Sequence, residues 1–124
     1  MTKTYEALVV EIDEVVEDVM VLLVEGVLVK CFASYCPSKI KVGKQYNVEF
    51  EMVLPEANFL VPAHGTDAKI EMTGNGLSCV ISGYLDGDVF HSFVDFMDQG
   101  IHYEYPQFNK RYVEVAVERI DVSF

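Results

Sequence analysis

Apolar and polar residues alternate with a period of two along much of the chain, most cleanly in QYNVEFEMVL, residues 45–54. Tyr46, Val48, Phe50 and Met52 fall on one face and Asn47, Glu49 and Glu51 on the other, as in a strand with one buried side and one wet side. TYEALVVEI, residues 4–12, alternates less well. Tyr5, Ala7 and Val9 oppose Glu6, Leu8, Val10 and Ile12, so both faces carry apolar groups. That predicts a strand covered on both sides, or one that changes face at a bulge. Residues 19–33 are rich in Val, Leu and Phe and predict one long bent strand or two short ones, with Gly26 at the bend. A helix through DEVVEDVMVLLVE is the competing expectation, weakened by its β-branched valines.

Further along, Gly74-Asn75-Gly76 predicts a tight turn between KIEM and LSCVISGYL, because glycine and asparagine tolerate positive φ. LSCVISGYL sets Leu77, Cys79 and Ile81 against Ser78, Val80 and Ser82. VFHSFVDFM, residues 89–97, reads as one strand with Val89, His91, Phe93 and Asp95 on one face. RYVEVAVERIDVSF, residues 111–124, reads as one long strand whose apolar face runs Val113, Val115, Val117, Ile120, Val122. Phe59, Leu60 and Val61, between Pro55 and Pro62, are expected to plug the core from a loop or short helical turn.

About seven short strands with only brief helical segments predict an all-β (or β-rich α+β) single domain over residues 1–124. Its form would be a small, strongly curved antiparallel sheet or an OB-like barrel; a β-sandwich or two-sheet α+β domain is the alternative. The opening order is a long first strand, a bent second and a third after a glycine turn. This resembles an OB-fold over residues 4–96, with PEANFLVPAHG in the place of the capping element before strand four.

Composition narrows the function classes. A 51% hydrophobic content excludes a wholly disordered chain. No apolar run approaches the roughly 20 residues that cross a bilayer; the richest, VMVLLVEGVLVKCFA, is broken by Glu25, Gly26 and Lys30. The N-terminus lacks the basic-then-apolar layout of a signal peptide, so the expected location is cytoplasmic, with no membrane partner. Three cysteines, Cys31, Cys36 and Cys79, cannot all pair within one chain. Cys31 and Cys79 fall in strand-like runs as core residues, and Cys36 falls in a loop. Twenty acids against nine Lys plus Arg give a net charge of −11. Such a chain repels a phosphate backbone, so nucleic acid is disfavoured and a basic protein partner is favoured. The same excess also serves simple solubility.

Candidate chemistry is sparse. In YLDGDVFHSFVDF, residues 84–96, Asp86-Gly87 is a hairpin-turn dipeptide. His91 is expected on a strand face well displaced from Asp86. Asp86, Asp88 and a carbonyl are too few ligands for calcium. No nucleophile elbow, zinc-protease pair, P-loop or dinucleotide glycine pattern occurs. Pairing of Cys36 or Cys79 with His64, His91 or His102 is not forced by the sequence. No catalytic, cofactor or metal residue is therefore assigned, and a small enzyme with a Cys/His or carboxylate site stands as a lesser alternative. GIHYEYPQFNKRY mixes aromatic and polar side chains in what reads as a long loop, the composition of an interface. Partner binding is assigned to His102, Tyr103, Glu104, Tyr105 and Phe108, with Asp86 and Asp88.

Together these features point to a non-enzymatic protein-binding module. In bulk character it is similar to inhibitors or immunity proteins that neutralise nucleic-acid-cleaving toxins. An OB-like domain binding an oligonucleotide or small ligand is the alternative. A homodimer is also expected, formed if RYVEVAVERIDVSF lies at an open edge and pairs with a second copy across its valine row.

Overall fold

A computed structural model describes residues 3–74, 76–97 and 99–124. The first four strands, β1 (Tyr5–Ile12), β2 (Val19–Val24), β3 (Val27–Tyr35) and β4 (Gln45–Val53), are joined by the last, β11 (Arg119–Ser123). They form a ring in the order β1-β2-β3-β11-β4 that closes through β4 and β1. Every pairing is antiparallel except β3–β11. Alternation explains the ring: Ala7 and Val9, Leu22 and Val24, Val29 and Cys31, Val48 and Met52, and Ile120 and Val122 are buried, while their neighbours face out. The β2–β3 hairpin turns on Glu25 and Gly26, both at positive φ, the geometry that matches strand twist in a two-residue loop.

Residues between β4 and β11 build a second sheet. It contains β5 (Leu60–Pro62), β6 (Lys69–Met72), β7 (Cys79–Asp86), β8 (Val89–His91), β9 (Asp95–Met97) and β10 (Arg111–Val117). The order is β5-β10-β7-β8-β9, with β6 beside the first half of β7 on the same flank as β8. A short helix, α1 (Ile101–Glu104), and a 3-10 turn (Pro106–Phe108) link β9 to β10. The two sheets share one hydrophobic cluster. Phe50 of the ring meets Phe93 at 6.4 Å, and Phe93 meets Phe96 at 5.7 Å, both edge-on. Polar clamps reinforce the join. The Gln99 side chain accepts from Met52 N at 2.7 Å and donates to Met52 O at 3.1 Å, completing the β4 backbone as another strand would. Asp95 N donates to the Tyr5 hydroxyl at 2.8 Å, and Lys3 pairs with the Asp95 carboxylate.

The all-β expectation is met, and β1 has the anticipated bulge, between Val9 and Glu11. Other expectations are corrected. Residues 19–24 are strand, which removes the helix through 13–25. RYVEVAVERIDVSF is two strands in two sheets: at Glu118 the chain leaves β10, Glu118 N bonds Val53 O at 2.9 Å, and β11 enters the ring. VFHSFVDFM is likewise broken. Ser92 N bonds Val94 O, and Phe93 and Val94 are both buried, which a continuous strand facing one core cannot achieve. Val61 points out at 52% exposure, while Phe59 and Leu60 are buried.

The OB-like mapping shifts as well. The bent second strand is β2 and β3, PEANFLVPAHG enters the second sheet, and the fifth ring strand comes from the C-terminus rather than from residues before 96. The proposed dimer edge does not exist. β10 lies between β5 and β7, β11 lies between β3 and β4, and Val113, Val115 and Val117 are in the core. Asn75 of the predicted glycine turn lies outside the described residues. No helix is long and apolar enough to cross a membrane among the described residues.

Candidate functional site

The β7–β8 hairpin turns at Asp86-Gly87-Asp88, with Gly87 at φ 58. The segment 101–110 folds onto this turn. Gly87 N donates to the Asn109 side-chain oxygen at 2.8 Å, Lys110 N donates to Leu85 O at 2.8 Å, and the Lys110 ammonium pairs with Asp86. That ammonium holds the Asp86 carboxyl below its usual range. His102 Nε2 stands 3.4 Å from Asp88, while its buried Nδ1 has no partner among the described residues.

The sequence-assigned partner set is thus brought together in part. Asp88, His102 and Tyr103 are in mutual contact through His102, and Tyr103 projects at 77% exposure with its ring 4.0 Å from His102; Asp86 pairs with Lys110 and His91 instead, and Glu104 is exposed. Tyr105 and Phe108 are used inside the fold. The Tyr105 hydroxyl accepts from Asn58 N at 2.9 Å, its ring meets Phe59 edge-on at 5.0 Å, and both side chains pack on the core. Both remain partly exposed.

His91 is not displaced from Asp86. The hairpin register carries it back, so Nε2 lies 4.0 Å from Asp86 and Nδ1 2.7 Å from Asp95. Burial alone would raise Asp95, but the Lys3 and His91 hydrogen bonds outweigh it and hold the carboxyl low. The result is a chain of polar contacts, Lys110–Asp86–His91–Asp95–Lys3, lying across the hairpin and tied to Lys3 near the N-terminus.

A further candidate lies elsewhere, and sequence reading missed it. A cleft of about 310 Å³ opens between the β1–β2 connection and the residues after β3. Asp13, Glu14, Glu17 and Asp18 line one side; Cys36, Ser38 and Lys39 line the other, over Ile12, Met20 and Ile40. A neighbouring hollow of about 270 Å³ adds Glu11 and Lys30 and shares Asp13 and Met20. The loop is shaped by Asp13, whose carboxylate accepts from Val16 N and Val15 N, each at 2.9 Å. Those two donors lower its pKa, so it is charged at neutral pH. The same loop exposes Val15 at 89% and Val16 at 48%. Carboxylates and bare aliphatic groups therefore occur side by side. The sequence signal was DEVVED itself: four acids around two valines is more than a turn needs.

The cleft holds no activated thiol. Burial and the Asp18 charge push the Cys36 thiol up, while burial and Asp121 push Cys31 to about 12 and burial alone pushes Cys79 to about 11. A thiol with a raised pKa is a poor nucleophile at neutral pH. Among the described residues no group of three His, Cys, Asp or Glu side chains is placed to hold a metal ion. A smaller hollow of about 120 Å³ gathers His64, Asp67, Lys69, Ser82 and Glu114 on the outer face of the second sheet. Lys69 is engaged there by Glu71 at 3.2 Å.

Residues 3–124 match the family described as Uncharacterised conserved protein UCP019853. The chain belongs to that family. No curated protein and no solved structure matches it. The family's description carries no reaction or ligand, so the geometry of the cleft and of the 86–104 surface is what bears on function.

Proposed function

We propose that the protein is a non-enzymatic binding module that takes a basic protein partner at the acid-lined cleft. One observation carries this reading: four carboxylates of one loop line a cleft of about 310 Å³, and the same loop exposes Val15 and Val16 beside it in sequence. Lysine or arginine of a partner would meet Asp13, Glu14, Glu17 and Asp18, while its apolar residues cover Val15 and Val16. The −11 net charge speeds such an encounter and disfavours acidic competitors. The immunity-type or inhibitor role is a narrower form of the same proposal, in which the basic partner is a nucleic-acid-cleaving enzyme.

The OB-like alternative is less well supported. Such folds take ligands at the loop between strands one and two and on the face of strands two and three. Here that loop carries the four acids, a poor surface for an oligonucleotide. Of the aromatic side chains offered for stacking, Tyr105 and Phe108 are turned inward.

The test is affinity capture from the native organism at low and at moderate salt. The bait is wild-type protein or the variant E14Q/E17Q/D18N. A basic protein captured by wild type, released by salt and lost with the variant is the expected result. Exposed charge pairs contribute about 0.2–1 kcal/mol each, so three neutralisations should weaken binding roughly tenfold. Equal capture by both baits would remove the cleft from the proposal.

A further inference from the structure

We propose that β6 is a docking edge for a second copy of this chain, the two β6 strands pairing antiparallel about a twofold axis at Ile70. β6 pairs with β7 and with no other described strand, so one side of its backbone is open. Which groups are open follows from the register. Thr73 N donates to Ser78 O at 3.0 Å, which makes Thr73–Ser78 a hydrogen-bonded pair. Antiparallel ladders alternate bonded and non-bonded pairs. Glu71–Val80 and Lys69–Ser82 are therefore bonded pairs, and Ile70–Ile81 and Met72–Cys79 are not. The amides and carbonyls of Ile70 and Met72 point away from β7. The far side of the sheet agrees: Ala116 N and Tyr112 O bond Phe59 and Ala63, so Val113, Val115 and Val117 are the β10 residues bonded to β7.

A twofold antiparallel pairing sets one residue opposite its own copy; Lys69 or Glu71 there would put like charges face to face, which leaves Ile70 or Met72 among the four residues of the strand. The sequence chooses between them. With Ile70 on the axis, Lys69 of each copy stands opposite Glu71 of the other, in the close non-bonded pairing where side chains interact most. Lys69 and Glu71 already meet at 3.2 Å within one chain, on the same face. The dimer would therefore carry four charges in a two-by-two array, each beside the opposite sign both along its own strand and across to the other copy. On the opposite face the half-buried Ile70 side chains meet each other. With Met72 on the axis, Glu71 faces Thr73 and the lysine has no counterpart. Charges at a strand edge usually discourage pairing; here they discourage foreign strands and favour a copy of this one. The strand is only four residues long, so the association belongs to the weak, concentration-dependent class.

Sedimentation equilibrium over a hundredfold concentration range, at about 0.15 M salt to screen net repulsion, tests this on the full chain. Three variants accompany wild type: K69E, E71K and the exchange K69E/E71K. All substitute exposed side chains, and far-UV circular dichroism verifies their folding. Wild type should rise from 14.0 kDa toward twice that mass. Each single variant, which sets like charges opposite each other, should weaken association about tenfold or more. The exchange variant should restore it. A wild-type mass of 14.0 kDa throughout overturns the proposal. So does a dimer that all three variants leave unchanged.

Discussion

Replacing Gly83 by alanine tests how the hairpin bearing Asp86 and His91 is held. Gly83 lies in β7, opposite Val113, with its backbone outside the left-handed region. An added Cβ would sit 2.2 Å from the His91 carbonyl oxygen, 3.0 Å from its carbon and 3.1 Å from Phe90 Cε1. The nearest two atoms are backbone, so no rotamer change relieves the contact. β8 must retreat by about 1 Å from a close-packed interior. Overpacking of this kind costs about 1–3 kcal/mol, and loosening a buried β7–β8 hydrogen bond costs about 1–3 kcal/mol more. Against this, Gly→Ala reduces unfolded-state entropy and returns about 0.4–1 kcal/mol. The net effect of G83A is a loss of roughly 2–4 kcal/mol. Urea unfolding followed by far-UV circular dichroism should show the midpoint falling by about 1–2 M, given slopes of about 1–3 kcal/mol/M. Gly65→Ala is the control: nothing lies within 4 Å of its Cβ and its φ is not left-handed, so its midpoint should hold or rise slightly. A G83A midpoint at or above wild type would refute the packing described for this hairpin.

Gln99→Ala removes both partners of the buried Met52 backbone and should lower stability by about 2–3 kcal/mol in the same assay. Asp95→Asn should destabilise at neutral pH and not in strong acid. Asp95 has a depressed carboxyl pKa in the folded state, so its contribution is full above the ordinary value near ~3.9 and disappears as pH falls through the folded one. The gap between wild-type and D95N midpoints should therefore be full at neutral pH and close as the pH falls below the ordinary carboxylate value. Of the three cysteines, only the exposed Cys36 should react with an aromatic disulfide reagent while the chain is folded, and all three after denaturation; two reactive thiols in the native state would contradict the burial of Cys31 and Cys79.

Strand character was legible wherever one face is buried and the other wet, because alternation then leaves a mark in every second residue. QYNVEFEMVL is the clear case: Val48, Phe50 and Met52 are buried as expected. The two misread strands had their warnings in the spacing. In RYVEVAVERIDVSF the buried residues step by two to Val117 and then by three to Ile120, a phase slip that marks the move from one sheet to another. In VFHSFVDFM the adjacent buried Phe93 and Val94 mark the reversal. Strand partners were not legible, since closure of the ring depends on β11 meeting β3 and β4 across more than half the chain.

The same limit applies to the candidate site. Gly87 and the 101–110 segment sit close enough in sequence for their association to be anticipated. The cleft joins residues 13–18 to residues 36–40 through β2 and β3, and only the folded ring reveals it. Aromatic content did not reveal packing either: Tyr105 and Phe108 carry the composition of an interface and also pack in part against the core.

The central claim is that a basic partner is received at the 13–18 loop and not at the aromatic segment. Backbone amide chemical shifts of isotope-labelled protein, followed while a lysine- and arginine-rich peptide is titrated at low salt, address it most directly. Binding at the cleft should give saturable shifts concentrated on residues 11–20 and 36–40, reduced in the E14Q/E17Q/D18N variant. Shifts centred on 101–104, or spread evenly over every acidic stretch of the surface, would contradict it.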